Sequence, residues 1–186
     1  MRIISGTYRG RVLKSPSGNK TRPTSDRLRE TLFNVLQTKI DNATRFLDLC
    51  AGTGAIGIEA LSRDAQFATF VDKSRRACAL IEENLDLLEI PEEQTEVFQS
   101  SADDFLRRLG ENSGGWDIVF FDPPYADDYM KVIRLIADEE IKLLNPDGIF
   151  IVEHHSKNIM PDAVGDLRRW RILKQGETNL SFYEKN

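Results

Sequence analysis

The feature that most constrains this chain is a regular alternation, from residue 45 onward, of short apolar runs with longer segments of helical period. Arg45-Phe46-Leu47-Asp48-Leu49 leads into a glycine turn and a helix from about Ala55 to Ser62. Phe67 to Val71 precedes a helix from Ser74 to about Leu88. Glu96-Val97-Phe98, a weaker strand, precedes a helix near Ala102 to Leu109. Asp117 to Phe121 precedes a helix from about Asp128 to Leu144. Asn145-Pro146-Asp147-Gly148 reads as a plain turn before a fifth strand, Ile149 to Val152. Strands alternating with helices need crossover connections, so the pattern predicts an α/β fold with a doubly wound, mostly parallel sheet. Arg169 to Lys174 and Leu180 to Glu184, around Gly176, read as a closing hairpin that adds one antiparallel strand. Ahead of the alternation, Arg2-Ile3-Ile4 and Arg11-Val12-Leu13 flank Gly6 and Gly10 as a short β-hairpin. A polar loop follows to residue 24, and Thr24 or Ser25 caps a helix striped by Leu28, Leu32, Val35 and Leu36.

At 186 residues the chain has the length of one domain with a sizeable core. Its two cysteines, Cys50 and Cys78, have neither metal-ligand nor disulfide-framework spacing, which fits a reducing cytoplasm and no metal. The start MRIISGTYRG has no long apolar stretch, and no run reaches membrane-span length, so neither a leader nor a membrane is expected. The net charge of −5 is unevenly spread: residues 1–29 hold eight Arg and Lys against Asp26 alone. Such asymmetry points to an anionic partner met by the N-terminal segment. Interleaved Ile3, Ile4, Tyr8, Val12 and Leu13 indicate a folded segment rather than a mobile basic tail.

Asp122-Pro123-Pro124-Tyr125 follows the apolar run Ile118 to Phe121, at the carboxyl end of a strand, where open α/β sheets bind ligands. Neither proline donates a backbone N–H. Asp122 and the Pro123 carbonyl can therefore accept both hydrogens of a planar amine while Tyr125 stacks on the ring that carries it. A strand-ending turn is the plainer reading of the same four residues.

Gly52, Gly54 and Gly57 match G-x-G-x-x-G after the first strand, a signature that dinucleotide enzymes share. Asp72 ends the second strand and can accept from a ribose diol, which NAD and S-adenosylmethionine (SAM) both carry. Asp48 discriminates between them. Just before the turn it would repel a pyrophosphate and attract the ammonium of a methionine moiety. Ala102-Asp103 can meet an adenine edge, although Asp103 serves equally as a carboxylate at a helix N-terminus. Arg22 and Arg29 can clamp phosphates, or, in the case of Arg29, pair with Asp26 or Glu30. His154 and His155 are adjacent on a strand and so face opposite sides, which rules out one shared site. Trp116 and Trp170 read as packing.

The sequence resembles the bacterial 16S ribosomal RNA guanine-N2 methyltransferases from Arg2 to about Glu184. The likeness is carried by Arg2 to Gly6, Gly10-Arg11, Thr21 to Thr24, Arg29-Glu30, Phe33 to Leu36, Leu47 to Gly54, Glu59 to Arg63 and Asp122 to Tyr125. It implies a seven-stranded sheet of the SAM methyltransferase type, with residues 1–24 as an RNA-binding hairpin extension and 25–186 as the catalytic domain. It further implies methyl transfer to a guanine N2 of 16S rRNA or the small subunit by a cytoplasmic monomer. Asp122, Pro123 and Tyr125 would be catalytic. Asp48, Gly52, Gly54, Asp72, Ala102 and Asp103 would hold SAM, and Arg2, Arg9, Arg11, Arg22 and Arg29 would hold RNA. Asp72 stands where the family more often has Glu, and Asp64 where it has Gly. A DNA adenine-N6 methyltransferase would share the Asp-Pro-Pro-Tyr geometry. A dinucleotide reductase would leave that motif unemployed, and a bare RNA-binding module would need neither acidic pocket.

Overall fold

The computed structural model describes residues 1–16, 26–109, 115–124, 128–138 and 142–185. Helix α1 (Asp26–Leu36) is followed by β1 (Arg45–Leu49), α2 (Ala55–Ser62), β2 (Phe67–Asp72), α3 (Arg75–Leu87), β3 (Thr95–Gln99), α4 (Ala102–Arg108), β4 (Trp116–Phe121) and α5 (Tyr129–Ile136). Strands β5 (Leu144–His155), β6 (Ala163–Val164), β7 (Leu167–Gln175) and β8 (Thr178–Lys185) complete the described elements. One sheet has the order β3-β2-β1-β4-β5-β8-β7-β6. Strands β1 to β5 pair in parallel, and β8 inserts antiparallel between β5 and β7. The fold is thus α/β with a mostly parallel sheet, and the seven expected strands are joined by the two-residue β6 on the edge of β7.

Side-chain alternation divides the core. Phe46, Phe70, Phe120, Ile151 and Phe182 face α1, α2 and α3. Leu47, Leu49, Val119, Phe121 and Tyr183 face α4 and α5. Helix α2, AIGIEALS, is buried on every side, as a helix apolar nearly all round must be. It ends with Ala65 N–H donating to Ala60 and Asp64 N–H to Leu61, both at 3.1 Å, a closure that places Asp64 at φ 75°.

Two expectations are corrected. Helix α5 stops at Ile136, well short of Leu144. Asn145 to Gly148 is not a free turn but a bulge inside β5. Trp116 aligns with Leu144 and Ile118 with Ile149, Asp147 has φ 63°, and Asn145 Nδ2 donates to Asp117 at 2.8 Å. The N-terminal segment forms the expected short hairpin. Its antiparallel bridge, Arg2 to Val12, is accompanied by Ile3 N–H donating to the Arg11 carbonyl at 3.0 Å, Leu13 N–H to the Met1 carbonyl at 2.8 Å and Gly10 N–H to the Ile3 carbonyl at 2.9 Å, and further bonds tie it to helices. Ile4 and Ser5 N–H groups donate to Glu59 at 2.8 and 3.0 Å, and Thr7 N–H to the Ser62 carbonyl at 2.7 Å. The fit is close enough that a Cβ on Gly6 would lie 1.5 Å from the Ser62 oxygen. Ile3 and Leu13 are buried with the main core. Among the described residues no helix is long and apolar enough to cross a membrane.

Candidate active site

The parallel register sets the ends of β1, β2 and β4 in one row: Leu49 aligns with Val71 and with Phe121. The next residues, Cys50, Asp72 and Asp122, therefore emerge together. The turn after β1 needs three left-handed residues, Cys50 at φ 66°, Gly52 at 57° and Gly54 at 76°. Glycine meets this at no steric cost, whereas Cys50 carries strain of about 1–2 kcal/mol. A Cβ on Gly57 would strike the Phe70 ring at 2.4 Å, so this glycine lets α2 approach β2. A Cβ on Gly52 would meet nothing within 4 Å. The turn thus presents bare backbone to open space, as close approach of a ligand requires.

Acids hold the turn from both sides. Asp72 accepts from Gly52 N–H at 2.9 Å through one oxygen and from Ser74 N–H at 2.8 Å through the other. A carboxylate has about four lone-pair sites, so a diol can still bind there. Asp48 is buried and accepts from Gly57 N–H at 3.0 Å. Burial pushes its carboxyl up to about 7; the Gly57 bond opposes the shift and the Asp122 and Asp72 charges add to it. Asp122 is half-buried, its N–H donates to the Leu49 carbonyl at 3.3 Å, and burial lifts its carboxyl to about 7 as well. Pro123 is buried and Pro124 exposed. Tyr125 lies outside the described residues. Ala102 is buried at the start of α4, beyond the end of β3. Asp103 forms an ion pair with Lys131 of α5, which holds its carboxyl below the usual range.

The basic residues divide. Arg2, Arg9 and Arg11 are exposed, and Arg11 Nη2 also donates to the Leu87 carbonyl at the end of α3, at 3.0 Å. Arg22 lies outside the described residues. Arg29 is a correction. Its side chain is fully buried and donates to the Arg2 carbonyl at 2.5 Å and to Asp26 at 2.9 Å, so it anchors the N-terminal segment from within and presents nothing to RNA. The pairing with Asp26 is one that the sequence suggests; the burial is not. Glu59 and Asn84 were missed. Glu59, the one acid in AIGIEALS, receives two arm amides and Arg63 Nε at 2.8 Å. A charge inside an otherwise apolar helix was the available signal. His154 is buried, and its Nε2 lies 2.9 Å from Ser181 Oγ, a packing role on the other face of the sheet from Asp48.

A family profile described as "Conserved hypothetical protein 95" matches residues 1–184. The chain belongs to this family. Relatives of this protein-95 family member include "Ribosomal RNA small subunit methyltransferase D" of Haemophilus influenzae, 35% identical over 186 residues that cover 98% of this chain and 91% of that one. The Escherichia coli K12 protein of the same name is 35% identical over 191 residues, covering 100% and 90%. The solved structure of Escherichia coli yhhF superposes with a TM-score of 0.86 at 35% identity, over 100% of this chain and 98% of that one. The structure of a hypothetical protein from Thermus thermophilus gives 0.83 at 28% identity, over 98% of each. Likeness to the protein-95 family therefore runs the length of the chain, arm included, and is not confined to the glycine turn.

Proposed function

We propose that this chain is a SAM-dependent methyltransferase of small-subunit ribosomal RNA, and that its acceptor is the exocyclic N2 amine of one guanine in 16S rRNA. The observation that carries the reading is the position of Asp122: one residue past β4, bonded to the last carbonyl of β1, and so beside the glycine turn. The full-length relatives named as small-subunit rRNA methyltransferases support the substrate class.

The turn fits SAM. Gly52 leaves backbone bare for it, Gly54 lets the turn close against Ile81 of α3, Asp72 lies where a ribose diol would be held, and buried Asp48 offers a carboxylate to an ammonium. Ala102 and Asp103 border the adenine end. When bound, SAM supplies an electrophilic methyl group. Asp122 and the Pro123 carbonyl accept the two hydrogens of the guanine amine, which draws the nitrogen out of conjugation and aims its lone pair. Holding reactants in line in this way can lower a barrier by about 7–11 kcal/mol in the best cases. Burial raises the Asp122 carboxyl above the ordinary carboxylate range, which makes it a better proton acceptor, suited to take the proton that the methylated amine sheds. Tyr125 is assigned to stacking on the base from its place in the sequence, worth about 1–3 kcal/mol. Residues 1–24 are the RNA-binding extension, with Arg2, Arg9 and Arg11 on phosphates and Arg22 assigned to the same role from the sequence, and 25–186 the catalytic domain. The enzyme acts as a cytoplasmic monomer.

Transfer of a labelled methyl group from SAM to small subunits, naked 16S rRNA and DNA, followed by nucleoside analysis, tests the reading. N2-methylguanosine from the ribosomal substrate is expected; N6-methyladenine in DNA would overturn it. Asp122→Ala and Asp122→Asn should each lower single-turnover transfer by about 100-fold or more while SAM still binds. Near-normal rates in both would remove Asp122 from the chemistry.

A further inference from the structure

Asn84, in the last turn of α3, is fully buried and bonds to two segments 39 residues apart. Its Oδ1 accepts from Lys14 N–H at 2.8 Å, and its Nδ2 donates to the Lys14 carbonyl at 3.2 Å and to the Thr53 carbonyl at 3.1 Å. The partners fix the amide's orientation. Reversed, it would set N–H against N–H and carbonyl against carbonyl. Lys14 lies near the end of the described part of the arm, residues 1–16, and its Nζ pairs with Glu83, the neighbour of Asn84, at 2.9 Å. Thr53 lies between Gly52 and Gly54, both left-handed; its peptide to Gly54 is held by the Gly54 N–H, which donates to the Ala51 carbonyl at 2.8 Å, and from outside the turn by this Asn84 bond.

We propose that Asn84 is a positioning residue that couples the RNA arm to the cofactor turn, so that SAM and rRNA each tighten binding of the other. This rests on the reading of the turn as the SAM site and of the arm as the RNA contact. A ligand that orders the Thr53 peptide holds the Asn84 amide, and the amide holds both backbone groups of Lys14. The linkage is reciprocal: an arm ordered by RNA presents Thr53, and with it Gly52 and Gly54, already in the binding conformation. Asn84 touches neither substrate nor cofactor in this scheme. Its effect is on affinity and not on the reacting atoms.

Two measurements test the coupling. The first is hydrogen exchange on the wild-type protein. Saturating S-adenosylhomocysteine should slow exchange of the Lys14 amide about five-fold or more. Bound S-adenosylhomocysteine with an unslowed Lys14 amide would overturn the coupling and leave the cofactor site standing, whereas failure to bind it would remove both. The second is affinity for naked 16S rRNA with and without S-adenosylhomocysteine. Wild type should tighten about five-fold or more. Asn84→Leu, with the same heavy-atom branching but without the bonds, should bind each ligand alone and lose the mutual tightening. A variant that tightens like wild type would overturn the role. The exchange measurement needs no variant, so the test stands even where Asn84→Leu does not fold.

Discussion

Asp48, pushed up to about 7 chiefly by burial, brings a protonated acid to the ligand-free pocket near neutrality. The unfolded chain releases the Asp48 proton near pH 4. Between about pH 4 and 7 the native state therefore holds a proton that the unfolded state has lost. The stability tied to that proton is complete below pH 4 and declines as pH rises to about 7, by at most about 1.4 kcal/mol per unit. Asp48→Asn removes this titration. Thermal melts across pH should show the melting temperature of the variant gaining on wild type from pH 4 to 7 and then running parallel. A constant difference would mean that burial does not govern Asp48. A bound ammonium would draw the same proton off, so SAM affinity should rise through neutrality in wild type and stay flat in Asp48→Asn.

At the scale of the element, α2 is held at both ends by left-handed residues, Gly54 before it and Asp64 after it. Asp64 is exposed and occupies a position that glycine fills without a Cβ penalty. Asp64→Gly should stabilise the protein by about 1 kcal/mol, which for a chain of this size raises the midpoint by about 2–4 °C. Scanning calorimetry reads this directly, and a lowered midpoint would show that the Asp64 side chain contributes more than its backbone strain removes. Glycine turn, strand ends and helix starts were legible because each is a local pattern: Gly52, Gly54 and Asp122 stand where period and punctuation put them. The bulge at Asn145 to Gly148 was not. Asn-Pro-Asp-Gly has the composition of a turn, and only its pairing with Trp116 and Ile118, about 30 residues away, keeps it in the sheet. Arg29 was misread for the same reason, since the Arg2 carbonyl that it meets is distant in sequence and carries no side-chain signal.

For the whole molecule, the arm is fixed from beneath and charged on top. Glu59, Ser62, Asn84 and Arg29 secure its backbone, while Arg2, Arg9 and Arg11 stay exposed. Neutralising those three together should raise the Kd for rRNA and shrink its salt dependence, by about 0.7 in log–log slope per lost contact on single strands and so by about two. Filter binding across a salt series decides; an unchanged slope would place the RNA elsewhere. The sheet order has a consequence for synthesis. Strand β8 is the last of the described strands to be made, yet it lies inside the sheet, paired on one side to β5 and on the other to β7. Until it arrives, β5 offers an open edge of apolar Ile149, Phe150, Ile151 and Val152, the kind of edge that recruits strands from other chains. A nascent copy therefore stays exposed to misassembly until β8 has emerged, and the site beside β5 gains its flanking support only then. Deleting Thr178 to Lys185 should send the expressed chain into the aggregated fraction, whereas the intact chain stays in the supernatant.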